Sequence, residues 1–251
     1  MSIHLVLYSN NEPFGMTKRL TIKSIRNFTQ KQIIIHDYNL EKIKQCDWFH
    51  RIQNLPQTYN QGRRDGYYNS WKPFITKEVY DIIPDGDILY YVDCSQYFRY
   101  GFTENVDKLC DIASELTAVA GSVGDDVRNN SFGCCDNIMV WDKIIPNNNN
   151  NVYINERHVL NSWFLFKKCD SNRQFINDWV YYSCYVDNDF NHPLVTYHHT
   201  ADQSIFNILV IKHKMTVFYS KNVGHNLNKN KNIVLNMVNN STNLTDLFIK
   251  I

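Results

Sequence analysis

Three apolar runs in this chain end on polar residues of a kind that can hold a ligand. Ile3–Tyr8 is followed by Ser9 and Asn10, Gln32–His36 by Asp37 and Tyr38, and Ile88–Val92 by Asp93-Cys94-Ser95. Open parallel sheets bind ligands outside the carboxyl ends of their strands. A carboxylate directly behind an apolar strand is held at that edge with little freedom, which suits Asp93 to a metal or sugar contact; capping of the following turn is the alternative. Trp71-Lys72-Pro73 is a second place for chemistry. Pro73 at a helix start holds Lys72 extended, beside a helix N-terminus where anions are favoured. A diphosphate or a sugar ring suits that position, with a core Trp and a snorkelling Lys as the plainer reading. Arg63 and Arg64, just upstream in a Gly-containing loop, are candidate phosphate contacts or exposed loop charges. Asp202, followed by Gln203, opens a segment anchored by Ile205, Phe206, Ile208 and Leu209. A carboxylate in the first turn of a helix is also what the helix dipole favours.

Two literal D-x-D triplets compete with Asp93 as acidic sites. Asp85-Gly86-Asp87 precedes its strand, at the edge opposite the expected crevice, and reads as a turn. Asp187-Asn188-Asp189 lies in a polar stretch with no strand to hold it, and reads as a solvated loop.

The elements that must position these residues alternate between strand and helix. After the first strand, Thr17–Phe28 carries Leu20, Ile22, Ile25 and Phe28 at mainly helical spacing, and the second strand closes a β-α-β unit with its right-handed crossover. Phe74–Ile83 predicts a helix begun by Pro73. Further strands are expected at Leu116–Ala120 and Asn137–Trp141. The second half reads as more helical, over Val159–Lys167, Asn172–Tyr185 and Ala201–Lys212, with a short last strand at Met215–Tyr219. No repeat or composition break divides the chain. The expectation is one α/β domain over 1–251, with a mixed, mostly parallel sheet flanked by helices.

Composition narrows the classes. With 251 residues, 43% apolar and 14% aromatic, the chain can bury a sizeable core. A formal charge of +1 removes the electrostatic case for sequence-independent nucleic-acid binding. No window reaches the roughly 20 apolar residues of a membrane span, and the first apolar run is too short for a signal peptide. Seven scattered cysteines without a C-x-x-C pair predict reduced thiols and a cytoplasmic compartment. Asn makes up about one residue in eight, well above ordinary usage, and the run Asn147–Asn151 reads as a loop insertion.

Three blocks carry a resemblance. Gly66-Tyr67-Tyr68-Asn69-Ser70-Trp71-Lys72-Pro73-Phe74-Ile75, then Ile88-Leu89-Tyr90-Tyr91-Val92-Asp93-Cys94-Ser95, then His199-Thr200-Ala201-Asp202-Gln203-Ser204-Ile205, resemble signatures of glycosyltransferase-like proteins with the GT-A nucleotide-sugar transferase fold. The similarity runs from about residue 3 to 213. The Asn-rich composition is similar to that of such proteins from giant DNA viruses.

The resemblance implies transfer of a sugar from a nucleotide-diphosphate donor, a UDP-sugar, to an acceptor hydroxyl. The donor-binding half would span about 1–95 and the acceptor side about 96–251. It implies Mn²⁺ or Mg²⁺ at the D-x-D position, here Asp93 with Ser95 in place of the second carboxylate, and a late His, here His225 with Lys229 and Lys231 nearby. It places Trp71, Lys72 and His199 around the donor, where the strand-end residues Ser9 and Asp37 and the loop residue Arg64 are further candidates. Asp202 and Gln203 would face the sugar and acceptor, Asp202 as general base if transfer inverts the anomeric centre. Two other readings stay open: a binding module that kept the fold without turnover, and a nucleotidyltransferase on a similar sheet. The lack of a Gly-rich phosphate loop near the first strand counts against the latter.

Overall fold

The computed structural model describes residues 1–10, 14–27, 29–53, 70–94, 96–98, 105–122, 143–146, 159–185, 201–215 and 248–250. A five-stranded sheet is built from β1 (Ile3–Tyr8), β2 (Ile33–Tyr38), β3 (Ile88–Val92), β5 (Ala118–Ser122) and β6 (Val159–Lys167) in the order β2-β1-β3-β6-β5. β2, β1 and β3 run parallel, and β6 runs antiparallel to both β3 and β5. β6 is therefore the single reversed strand of a mostly parallel mixed sheet, the architecture expected from sequence. A separate antiparallel pair joins β4 (Gln96–Phe98) to β7 (Phe248–Lys250).

Helices cover both faces, which is why β1 and β3 are unbroken apolar runs with every residue buried. Val6, Tyr8, Leu89, Tyr91, Phe164 and Phe166 pack with α3 (Trp71–Ile82), α5 (Asp170–Tyr185) and α6 (Ala201–Lys212). Leu5, Leu7, Ile88, Tyr90, Val92 and Leu165 face the layer of α1 (Phe14–Asn27) and α4 (Asn105–Leu116). The short α2 (Leu40–Lys44) follows β2, its Asn39 side chain accepting the Lys42 N–H as an N-cap.

The helix expected over Val159–Lys167 is a strand. Phe164 and Phe166 point to one layer and Trp163 and Leu165 to the other, so both faces of the segment are buried and its apolar run carries no period that separates strand from helix. Its pairing with β5 slips: Ala120 meets Phe164, but Gly121 meets Leu160, leaving Asn161, Ser162 and Trp163 without β5 partners. An odd number of extra residues reverses the alternation of side chains. Val159 and Asn161 thereby face the same helices as Phe164 and Phe166.

Other boundaries moved less. Leu116 ends α4, so β5 begins at Ala118 and not at the expected Leu116. α3 begins at Trp71, which makes Lys72 helical where an extended conformation was expected. Pro73 is tolerated there because N–H groups of the first turn have no acceptor within the helix. Met215 has no regular structure, and the rest of the expected last strand, like the expected Asn137–Trp141 strand, lies outside the described residues. Asp85-Gly86-Asp87 is a turn, as expected, with Gly86 at φ +84° and the Asp87 N–H bonded to the Pro84 carbonyl at 3.2 Å.

Asp87 also ends a polar chain across the sheet. His4 Nε2 lies 3.2 Å from Asp87 Oδ2 and His4 Nδ1 lies 3.0 Å from His36 Nε2. Burial, then the neighbouring His4 and Lys42, lower the pKa of His36 from 6.5 to about 4. The unfolded chain takes up that proton below about 6.5, the folded chain only below about 4. The neutral ring therefore contributes stability that is complete above pH 6.5 and is lost as pH falls toward 4. Urea unfolding across that range should show the loss, and His36→Gln should flatten it. An identical profile in the variant would assign the acid sensitivity to other groups.

Candidate active site

The Asp93 N–H donates to the Ser162 carbonyl at 2.7 Å, one further rung on the β3–β6 ladder, and this holds Asp93 at the carboxyl edge of the sheet. Its side chain is 33% exposed. Tyr91, two residues earlier and so on the same face, donates its O–H to Asp93 Oδ1 at 2.7 Å. Lys72 comes down from the first turn of α3 with its Nζ 3.5 Å from the same Oδ1 and 3.1 Å from Asp202 Oδ2. The ammonium also donates to the Asn161 side chain at 3.2 Å and carbonyl at 3.3 Å, and lies 5.0 Å from the centroid of the Tyr91 ring.

Asp202 is 2% exposed. Besides Lys72, its Oδ2 accepts from Asn161 Nδ2 at 2.8 Å, and its backbone carbonyl accepts from Trp179 Nε1 at 3.1 Å. The described contacts of its carboxylate are thus Lys72 and Asn161, both from other parts of the chain. The Gln203 amide accepts the Asn161 N–H at 3.0 Å and donates to the Val159 carbonyl, while Asn207 Oδ1 accepts the Val159 N–H. Side chains of α6 therefore serve the β6 backbone where the register with β5 slips, and this tie carries Asp202 to Lys72. Behind it Phe164, Phe166, Phe175, Trp179 and Phe206 form an aromatic block, with Trp179 and Phe206 centroids 5.0 Å apart. Each such ring contributes about 1.5–3 kcal/mol by burial.

Electrostatics follow from this geometry. Burial pulls the Lys72 pKa down, but the charges of Asp93 and Asp202 and their hydrogen bonds outweigh it, and the net shift is upward. Lys72 is therefore a permanent cation. Burial, then the charge of Asp93, holds the Tyr91 phenol well above its ordinary value, so it remains a donor. One ammonium meets two carboxylates, and Asp93 Oδ2 takes no hydrogen bond among the described residues. A hard oxygen ligand on a side chain that is partly exposed, with two carboxylates to one ammonium, fits Mn²⁺ or Mg²⁺. Among the described residues no three His, Cys, Asp or Glu side chains converge as a ligand set.

The expected residues separate into three groups. Lys72, Asp93, Asp202 and Gln203 are brought together. Ser9 follows β1, 7% exposed, its N–H bonded to the Tyr38 carbonyl at 3.1 Å. Trp71 stacks on Tyr8 with centroids 3.9 Å apart, and its buried indole N–H has no partner among the described residues. Asp37, near the end of β2, is engaged by Lys18 at 2.7 and 3.0 Å. Arg63, Arg64, Ser95, His199, His225, Lys229, Lys231 and the triplet Asp187–Asp189 lie outside the described residues. Sequence reasoning missed Asn161, and it gave Tyr91 no role of its own although Tyr91 lies in the Ile88–Ser95 block. A polar residue inside the apolar run Val159–Lys167 was the one signal for Asn161, and the helical reading concealed it.

No family model and no curated protein matches the chain. Its structure is similar to that of mouse xyloside xylosyltransferase 1 in the apo form, with a TM-score of 0.50 and 10% identity over 87% of this chain and 85% of that one. Also similar are a glycosyltransferase involved in the glycosylation of the major capsid of PBCV-1 (TM-score 0.47, 6% identity, 87% and 81% covered) and the galactosyltransferase LgtC in complex with donor and acceptor sugar analogs (0.39, 11%, 86% and 72%). The fold is of the GT-A glycosyltransferase type.

Proposed function

We propose that this protein is a glycosyltransferase that moves a sugar from a UDP-sugar to an acceptor hydroxyl. The observation that carries the reading is Asp93: a partly exposed carboxylate at the carboxyl edge of β3, joined through one buried lysine to a second carboxylate, on a GT-A-type sheet. In the reaction the bond from the anomeric carbon to the diphosphate oxygen breaks and UDP leaves. A bond to the acceptor oxygen forms, and the acceptor's proton passes to a base.

Asp93 would hold a divalent cation through Oδ2, with Ser95 and His225 as the further ligands that the sequence resemblance implies. Such a cation, when bound, supplies charge neutralisation for the departing diphosphate. Ser9, Asp37, Arg64, Trp71 and His199 line the donor side in this reading. Lys72 supplies a fixed positive charge at the same edge. Asp202 and Gln203 would stand on the acceptor side, with Asp202 as the base. One observation favours a second reading, a binding module without turnover: Asp202 is 2% exposed and its Oδ2 is shared by two internal donors.

A thermal-shift series with UDP, UDP-sugars and Mn²⁺ tests the proposal. Ligand at about 100 times its dissociation constant stabilises the native state by roughly 2.7 kcal/mol. No shift with any nucleoside diphosphate would overturn the donor assignment. Binding without donor consumption would select the module, and consumption of a nucleoside triphosphate with a sugar phosphate would select nucleotidyl transfer.

A further inference from the structure

The geometry points to Tyr91 as a positioning residue for Asp93, an inference that rests on the donor-side role proposed for that carboxylate. Tyr91 is 1% exposed, so it reaches no ligand itself, yet it touches both charged groups at the edge of β3. Its O–H is 2.7 Å from Asp93 Oδ1, and its ring lies 5.0 Å from the Lys72 ammonium, within the range of a cation–π contact. The Y-x-D spacing produces this: residues two apart on a strand share a face, and that face carries Lys72 of α3. With Tyr91 and Lys72 both on Oδ1, Asp93 is locked in one rotamer, and Oδ2 is left without a hydrogen bond among the described residues. A buried phenol at this distance is suited to this task. It donates one hydrogen bond and contributes no charge of its own. The ring also stacks on Phe164, with centroids 5.0 Å apart, so the anchor is part of the core and Asp93 inherits its rigidity.

Tyr91→Phe isolates the hydroxyl, because the ring, its stacking on Phe164 and its contact with Lys72 are retained. The expected result is a variant that melts close to the wild type but binds UDP with Mn²⁺ about tenfold more weakly, the worth of a hydrogen bond to a charged group. In its crystal structure the Asp93 carboxylate should leave the wild-type rotamer. Wild-type affinity together with an unmoved Asp93 overturns the inference, as does a lowered melting temperature with both unchanged, which is what a purely structural tyrosine would give. Should the wild type bind neither UDP nor Mn²⁺, the donor reading fails separately. The Asp93 rotamer in the Tyr91→Phe crystal structure then decides the role of Tyr91 alone, a rotated carboxylate supporting it and an unmoved one overturning it.

Discussion

Asp93→Asn is expected to lower transfer from a UDP-sugar by about 100- to 1,000-fold, the usual cost of removing one electrostatic contact to the developing charge, while leaving the fold in place. The amide keeps an oxygen to accept from Tyr91, and the Asp93 N–H to the Ser162 carbonyl is untouched. Lys72 keeps Asp202 as its counter-ion at 3.1 Å. Since the Asp93 side chain is one-third exposed (33%), the stability change should stay within about 1 kcal/mol. Donor consumption measured beside thermal melting separates the two quantities. A carboxylate that only capped the turn after β3 would give wild-type turnover, and that result would return Asp93 to a structural role.

Lys72→Met is expected to cost about 3–5 kcal/mol of stability, because it leaves Asp202 buried with no counter-ion. Removal of both charges, in Lys72→Met with Asp202→Asn, should recover a large part of that loss, since the penalty comes from the orphaned charge and not from the missing attraction. Denaturant unfolding of the two single variants and the double variant measures the coupling directly. Additive losses would mean that the two groups do not form the buried pair. Asp202→Asn alone is informative for the same reason. From sequence, an Asp in the first turn of a helix could be exchanged for Asn at a cost of a few tenths of a kcal/mol. The structure raises that expectation to about 1–3 kcal/mol, because the lost charge is a partner of a buried ammonium whose remaining counter-ion is Asp93 at 3.5 Å. Asp202 acting as base would add a fall in transfer of about 100-fold or more, with UDP affinity by calorimetry largely preserved.

Strand ends were legible in the sequence because they depend on local chemistry. An unbroken apolar, β-branched run such as Ile3–Tyr8 or Ile88–Val92 must be buried on both faces, and its first polar residue must lie at an edge. That reasoning placed Asp93 at the carboxyl edge of β3 and Asp202 in the first turn of α6, and recognised Asp85-Gly86-Asp87 as a turn. The same local reasoning failed for Val159–Lys167, where burial on both faces erased the period that distinguishes helix from strand.

What the residues alone determined is a parallel β-α-β start, a mostly parallel sheet and two acidic positions 109 residues apart in number, Asp93 and Asp202. Only the tertiary structure decided that one lysine joins them. Lys72 is helical and points inward, because α3 begins at Trp71 and not after Pro73. Asn161 faces Lys72 because three residues of β6 have no β5 partner and the alternation reverses. Asp202 reaches both because Gln203 and Asn207 bind the β6 backbone and Trp179 holds its carbonyl. Each of these is a contact between segments far apart in the chain. Its free energy comes from pairing buried charges and hydrogen-bonding groups that would otherwise carry their full desolvation cost, a quantity that no local window contains.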